Sequence, residues 1–74
     1  MHNDITHMGH IIRKAREAKS LTQIALAERV KVSHRTIGAI ENGRRNTTYN
    51  VLNRIFDTLD IPAEMVFRLD SKDI

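Results

Sequence analysis

Cysteine is absent from this chain, and proline occurs once, at Pro62. Without cysteine there are no disulfides and no thiolate metal sites, and a reducing, cytoplasmic setting fits. Long apolar runs are missing too. Nothing approaches the roughly 20 residues that cross a bilayer, and the segment with Asn3, Asp4, His2, His7 and His10 has no apolar signal core. No glycine-rich loop is present to cradle a phosphate. Ser20 and Ser33 sit where helices end or begin, Ser71 lies in the tail, and no carboxylate pair shares an apolar pocket. An enzyme is therefore not expected, nor a cofactor. Repeats, low-complexity tracts and linkers are also lacking, so the 74 residues read as one domain near the lower limit for a free-standing core.

What is present is basic and unevenly spread. Lys and Arg number 12 against 9 Asp and Glu. Arg13, Lys14, Arg16, Lys19, Arg29, Lys31, Arg35, Arg44 and Arg45 precede residue 46, whereas Asp57, Asp60, Glu64, Asp70 and Asp73 crowd the C-terminal part. A basic front with an acidic tail suits a polyanion on one side of the molecule.

The stretch TQIALAERVKVSHRTIGAIENG, Thr22 to Gly43, reads as two short helices and a tight turn. Thr22 caps the first, and Ile24, Ala27 and Val30, with Leu26, make its apolar stripe. Ser33 is the N-cap of the second, with Val32 before it and Ile37 behind it as a hydrophobic staple. Ile37, Ile40 and Glu41 share one face, Arg35, Ala39 and Asn42 the other, and Gly43 supplies a left-handed stop. Helices this short need neighbours to hold them.

Before this pair, residues 1–7 read as a loose arm, and a helix runs from about Met8 to Lys19 on the stripe Met8, Ile11, Ile12 and Ala15. His7 and His10 stand three apart but lack a third ligand, so no metal site is expected. After the pair, Thr48 (or Thr47) caps a fourth helix ending near Leu59, with Tyr49, Leu52, Ile55, Phe56 and Leu59 as its buried stripe. Pro62 suits the first position of a fifth helix through about Phe67. Met65, Phe67 and Leu69 also alternate with Val66 and Arg68 as a strand would, and residues 70–74 read as a frayed tail.

LTQIALAERVKVSHRTIGAIENGRR resembles the helix-turn-helix of the Cro/C1-type (xenobiotic response element) family of bacterial and phage regulators. The match lies at Leu21, Thr22, Gln23, Leu26, Ala27, Val32, Ser33, Ile37, Ile40, Glu41, Gly43 and Arg44, and weaker similarity runs from Met8 to Phe67. The resemblance implies an all-α, compact, five-helix lambda-repressor-like DNA-binding domain over residues 8–69. It also implies a pair between Arg16 and Glu41, where the periodicity alone leaves Arg16 a solvated charge. Gly38, Lys31 and Ile24 depart from the family, which favours a side chain, a glycine and a polar residue at those places. Lysine at a left-handed turn position costs on the order of 1 kcal/mol, and a different turn geometry is the alternative.

In this reading the second helix of the motif, about residues 33–42, enters the major groove. Arg35 carries the fork that matches guanine, and His34, Gly38 and Ala39 complete the base-reading surface. Glycine at 38 removes a reader and lets backbone approach the DNA more closely. Gln23, Ser33, Thr36, Arg44, Arg45, Asn46 and Thr47 hold phosphates, Gln23 because the family uses a glutamine there in that role. Arg13, Lys19 and Lys31 add only long-range attraction. The expected protein is a cytoplasmic, nucleoid-associated homodimeric repressor or autoregulator that binds a double-stranded operator and no membrane, with Met65, Val66, Phe67 and Leu69 at its dimer contact. The competing reading is an antitoxin that neutralises a cognate toxin and represses its own operon, which a strand at 65–69 would favour.

Overall fold

The computed structural model describes residues 4–44 and 47–62. Four helices lie among them: α1 (Asp4–Ala18), α2 (Gln23–Val30), α3 (His34–Glu41) and α4 (Tyr49–Thr58). The class is all-helical, with four helices where five were expected. The fifth falls on residues 62–67, and from 63 onward these lie outside the described residues. So do Arg45, Asn46, the helix-or-strand segment with Met65, Val66, Phe67 and Leu69, and the tail.

Three helices begin on a hydroxyl. Thr22 Oγ1 accepts from Ala25 N at 3.0 Å, Ser33 Oγ from Thr36 N at 3.2 Å, and Thr48 Oγ1 from Val51 N at 3.2 Å. All three caps have extended backbone, and each satisfies a donor that the helix itself leaves open, worth about 1 kcal/mol. Thr48 rather than Thr47 is the cap of α4.

All four helices end alike. Leu21 N donates to Arg16 O, Val32 N to Ala27 O, Arg44 N to Ala39 O and Ile61 N to Phe56 O, over 2.8–3.1 Å. These bonds require the preceding residue to be left-handed, and Ser20, Lys31, Gly43 and Asp60 have φ of 59, 65, 72 and 59°. Only one of the four is glycine. Leu21, Val32 and Ile61, which follow the other three, pack against the core and offset the local strain.

The core draws on every helix: Ile12 from α1, Leu26, Ala27 and Val30 from α2, Ile37 and Ile40 from α3, and Leu52, Ile55 and Phe56 from α4, with Leu59 just beyond it. α3 packs against α1 and α2, and α2 against α4. Arg54 of α4 donates from Nε to Val30 O at 3.1 Å, so a cation closes the C-terminal end of α2.

Three expectations need correcting. α1 starts at Asp4, not Met8, so Asp4 to His7 are helical rather than part of a loose arm. No proline or glycine interrupts those residues, and the packed Met8 and Ile12 hold the turns that follow. Ile24 is 55% exposed because steps of three drift around a helix with 3.6 residues per turn. That drift carries it more than a quarter-turn off the Leu26–Ala27–Val30 stripe. Tyr49 is 51% exposed, since it occupies the first position of α4, a turn ahead of the buried Leu52.

Gly9 is the position that sequence reading left without a role. It is buried where α1 crosses the end of α3, and a Cβ there would meet Ile40 O and lie 2.6 Å from Glu41 O. Backbone cannot yield as a flexible side chain does. Gly9→Ala is therefore expected to lower stability by about 1–3 kcal/mol despite alanine's better helix propensity. Lys31→Gly, which relieves a left-handed lysine, should raise it by up to about 1 kcal/mol. Urea denaturation followed by circular dichroism measures both; a stabilised Gly9→Ala would contradict the backbone contact.

Candidate nucleic-acid interface

α3 is divided lengthwise by burial. Ile37 and Ile40 are sealed into the core, while His34, Arg35 and Asn42 are exposed and Thr36, Gly38 and Ala39 are half-buried along the open side. Ser33 is exposed and shares its hydroxyl with Thr36 Oγ1 at 2.9 Å, which fixes the first turn. Beyond α3, Arg44 is exposed and Thr47 half-buried. The Arg35 and Arg44 guanidinium groups have no hydrogen-bond or ion-pair partner among the described residues.

The inward face ends on a buried carboxylate. Glu41's side chain is 0% exposed and Arg16's only 11%. Arg16 Nε donates to Glu41 Oε2 at 2.6 Å and Arg16 Nη2 to Oε1 at 3.0 Å, a two-pronged pair, while Arg16 Nη1 donates to Leu21 O at 2.7 Å. The hydrogen bonds to Glu41 hold the Arg16 proton more firmly than in water, against the opposing effect of burial. The solvated-charge alternative for Arg16 therefore gives way to a pair between α1 and α3.

Two further residues join this cluster, neither foreseen there. Gln23 Nε2 donates to Glu41 Oε1 at 3.1 Å. Arg13 Nε lies 3.6 Å from the same oxygen, and Arg13 Nη2 donates to Asn42 Oδ1 at 3.1 Å. Arg13 was expected to act only at long range; it is instead a brace across the end of α3. Lys19, placed in the same class, pairs with Asp60 at 2.7 Å on the surface, a contact of small worth. The separations of 18, 25 and 29 residues explain why local patterns did not reveal the cluster. His7 and His10 are exposed on α1. Among the described residues no helix is long and apolar enough to cross a membrane.

A profile described as Helix-turn-helix matches residues 12–66 of this chain. No curated protein sequence matches it significantly. Among solved structures it is similar to the restriction-modification controller protein C.AhdI from Aeromonas hydrophila, at 30% identity over 80% of this chain and 89% of that one, with a TM-score of 0.76. It is also similar to the wild-type restriction-modification controller protein C.Esp1396I, at 26% identity over 97% and 92%, TM-score 0.78. The clp gene regulator ClgR from Corynebacterium glutamicum aligns over 95% of this chain and 74% of its own, at 23% identity and a TM-score of 0.80, which speaks to fold alone.

Removing Arg16 leaves Glu41 buried with only the weaker partners. Arg16→Met should cost about 3–5 kcal/mol, and most of that loss should return in the double variant Arg16→Met/Glu41→Leu, which buries no orphaned charge. Urea melts of the two variants measure this; equal losses in both would contradict the pairing.

Proposed function

The chain belongs to the Cro/C1-type helix-turn-helix family and is a DNA-binding transcriptional regulator, and from that premise we propose that it acts as a symmetric dimer repressing an operon, its own included. α3 enters the major groove of the operator with His34, Arg35 and Ala39 toward base edges and the Gly38 backbone close by. The observation that carries this reading is the contrast among arginines. Arg13, Arg16 and Arg54 are engaged within the fold, whereas Arg35, on the open side of a helix anchored by Ile37 and Ile40, is exposed and unpartnered among the described residues. A free guanidinium fork suits the O6 and N7 acceptors of guanine. Ser33 and Thr36 at its first turn, and Arg44, Arg45, Asn46 and Thr47, which follow it in sequence, grip phosphates.

One module makes too few contacts for tight operator binding. Two joined symmetrically read half-sites about one helical turn, 34–36 Å, apart, and the apolar Met65, Val66, Phe67 and Leu69 supply the contact between them. The likeness to two restriction-modification controllers makes the operon of such a system the first target to test.

Selection of bound sequences from a random duplex pool is expected to return a twofold-symmetric site containing guanines. Arg35→Ala should lose about 1–3 kcal/mol of preference at those guanines and keep the fold. Arg44→Ala should weaken all sequences alike and flatten the salt dependence by about one unit of slope. Unchanged base preference on Arg35→Ala would remove Arg35 from the readers. Sedimentation without DNA should show a dimer at micromolar concentration, and a monomer at high micromolar concentration would contradict the proposed assembly.

A further inference from the structure

At Gly38 the open side of α3 is bordered by a side chain from another helix. Gln23 Oε1 stands 3.5 Å, and its Cδ and Nε2 3.9 Å, from the place a Cβ on residue 38 would occupy. The carboxamide of α2 thus lies in van der Waals contact with the place where a side chain of α3 would begin, one helical turn beyond the exposed His34 and Arg35. Its orientation is fixed by chemistry. Glu41's carboxylate, paired with Arg16, accepts only, so the end of the amide that faces it at 3.1 Å must be the NH2 group. One N–H is thereby committed. The second N–H and Oε1 remain, and Oε1 has no donor among the described residues. On a planar carboxamide Oε1 and the N–H cis to it form an acceptor–donor edge that matches the N6 amino group and N7 of adenine, and committing the trans N–H to Glu41 leaves that edge open.

Resting on the assignment of α3 to the major groove, we infer that Gln23 reads an adenine in each half-site, replacing the reader that Gly38 removes. Glu41 serves as the positioning residue that holds the amide edge outward. This differs from the phosphate role that the family resemblance implies for Gln23. A phosphate oxygen offers only acceptors, so it would use the free N–H and leave Oε1 idle.

The test carries wild type, Gln23→Ala and Gln23→Met through the same duplex selection. Binding to the selected site is then measured with each specified adenine replaced in turn by 7-deazaadenine, which lacks the N7 acceptor. Wild type should lose about tenfold in affinity at one adenine per half-site. Both variants should be indifferent to that replacement while retaining the guanine preference that depends on Arg35. Uniform weakening of all sequences by both variants, with the 7-deazaadenine penalty intact, would overturn the inference and leave Gln23 a phosphate contact. Absence of any adenine N7 dependence in wild type overturns the inference without a variant; if one variant fails to fold by circular dichroism the other carries the comparison, and Gln23→Ser replaces both if neither folds. If wild type enriches no sequence, the groove-reading premise fails first, and this inference with it.

Discussion

A carboxylate with none of its surface in water has to be answered by groups from other helices, and Glu41 sets that condition at the end of α3. Arg16 from α1 answers with two hydrogen bonds and Gln23 from α2 with one, so three helices converge on one side chain. Gly9 lets the α1 backbone close onto the carbonyls of Ile40 and Glu41 at the same place. Such a cluster adds little net stability compared with apolar packing, but breaking it from one side is costly. Its consequence is geometric: the angle and rotation of α3 are fixed from within, which leaves its outer side free to be read by a partner.

The local features of this fold were legible, because they obey local rules. Thr22, Ser33 and Thr48 sit as caps where a hydroxyl precedes a helical pattern, and Gly43 ends α3 with positive φ. Errors arose where packing decides. Ile24 lies on a plausible three-residue step yet faces out, and Tyr49 starts its helix beyond the core's reach. The start of α1 was misplaced for a similar reason, since nothing in a short polar segment marks where helix begins unless a cap or breaker stands there. Gly9 carried no local signal at all. A glycine demanded by the approach of a backbone 31 or more residues away is invisible to a window of one helix.

The candidate interface shows the same division. Counting basic residues before position 46 overstates what is offered to a polyanion, because Arg13 and Arg16 are spent on Asn42, Leu21 and Glu41, and Lys19 faces Asp60. What the fold leaves outward around α3 is narrower: Arg35 and His34 on it and Arg44 just after it, while the exposed Lys14, Arg29 and Lys31 belong to α1, to α2 and to the turn after α2. Gln23 bridges the two sets, with one amide hydrogen in the structural cluster and the rest of the amide over Gly38. The departure from family pattern at residue 38 and the tie at residue 23 are thus one arrangement seen from two helices.

The orientation of α3 is tested most directly by methylation interference on a selected duplex. Methylation at guanine N7 blocks the major groove and methylation at adenine N3 the minor groove. A helix held by Ile37, Ile40 and Glu41 with Arg35 outward predicts interference at guanine N7 in two symmetric patches about one helical turn apart. Interference confined to adenine N3, with guanine N7 indifferent, would contradict it.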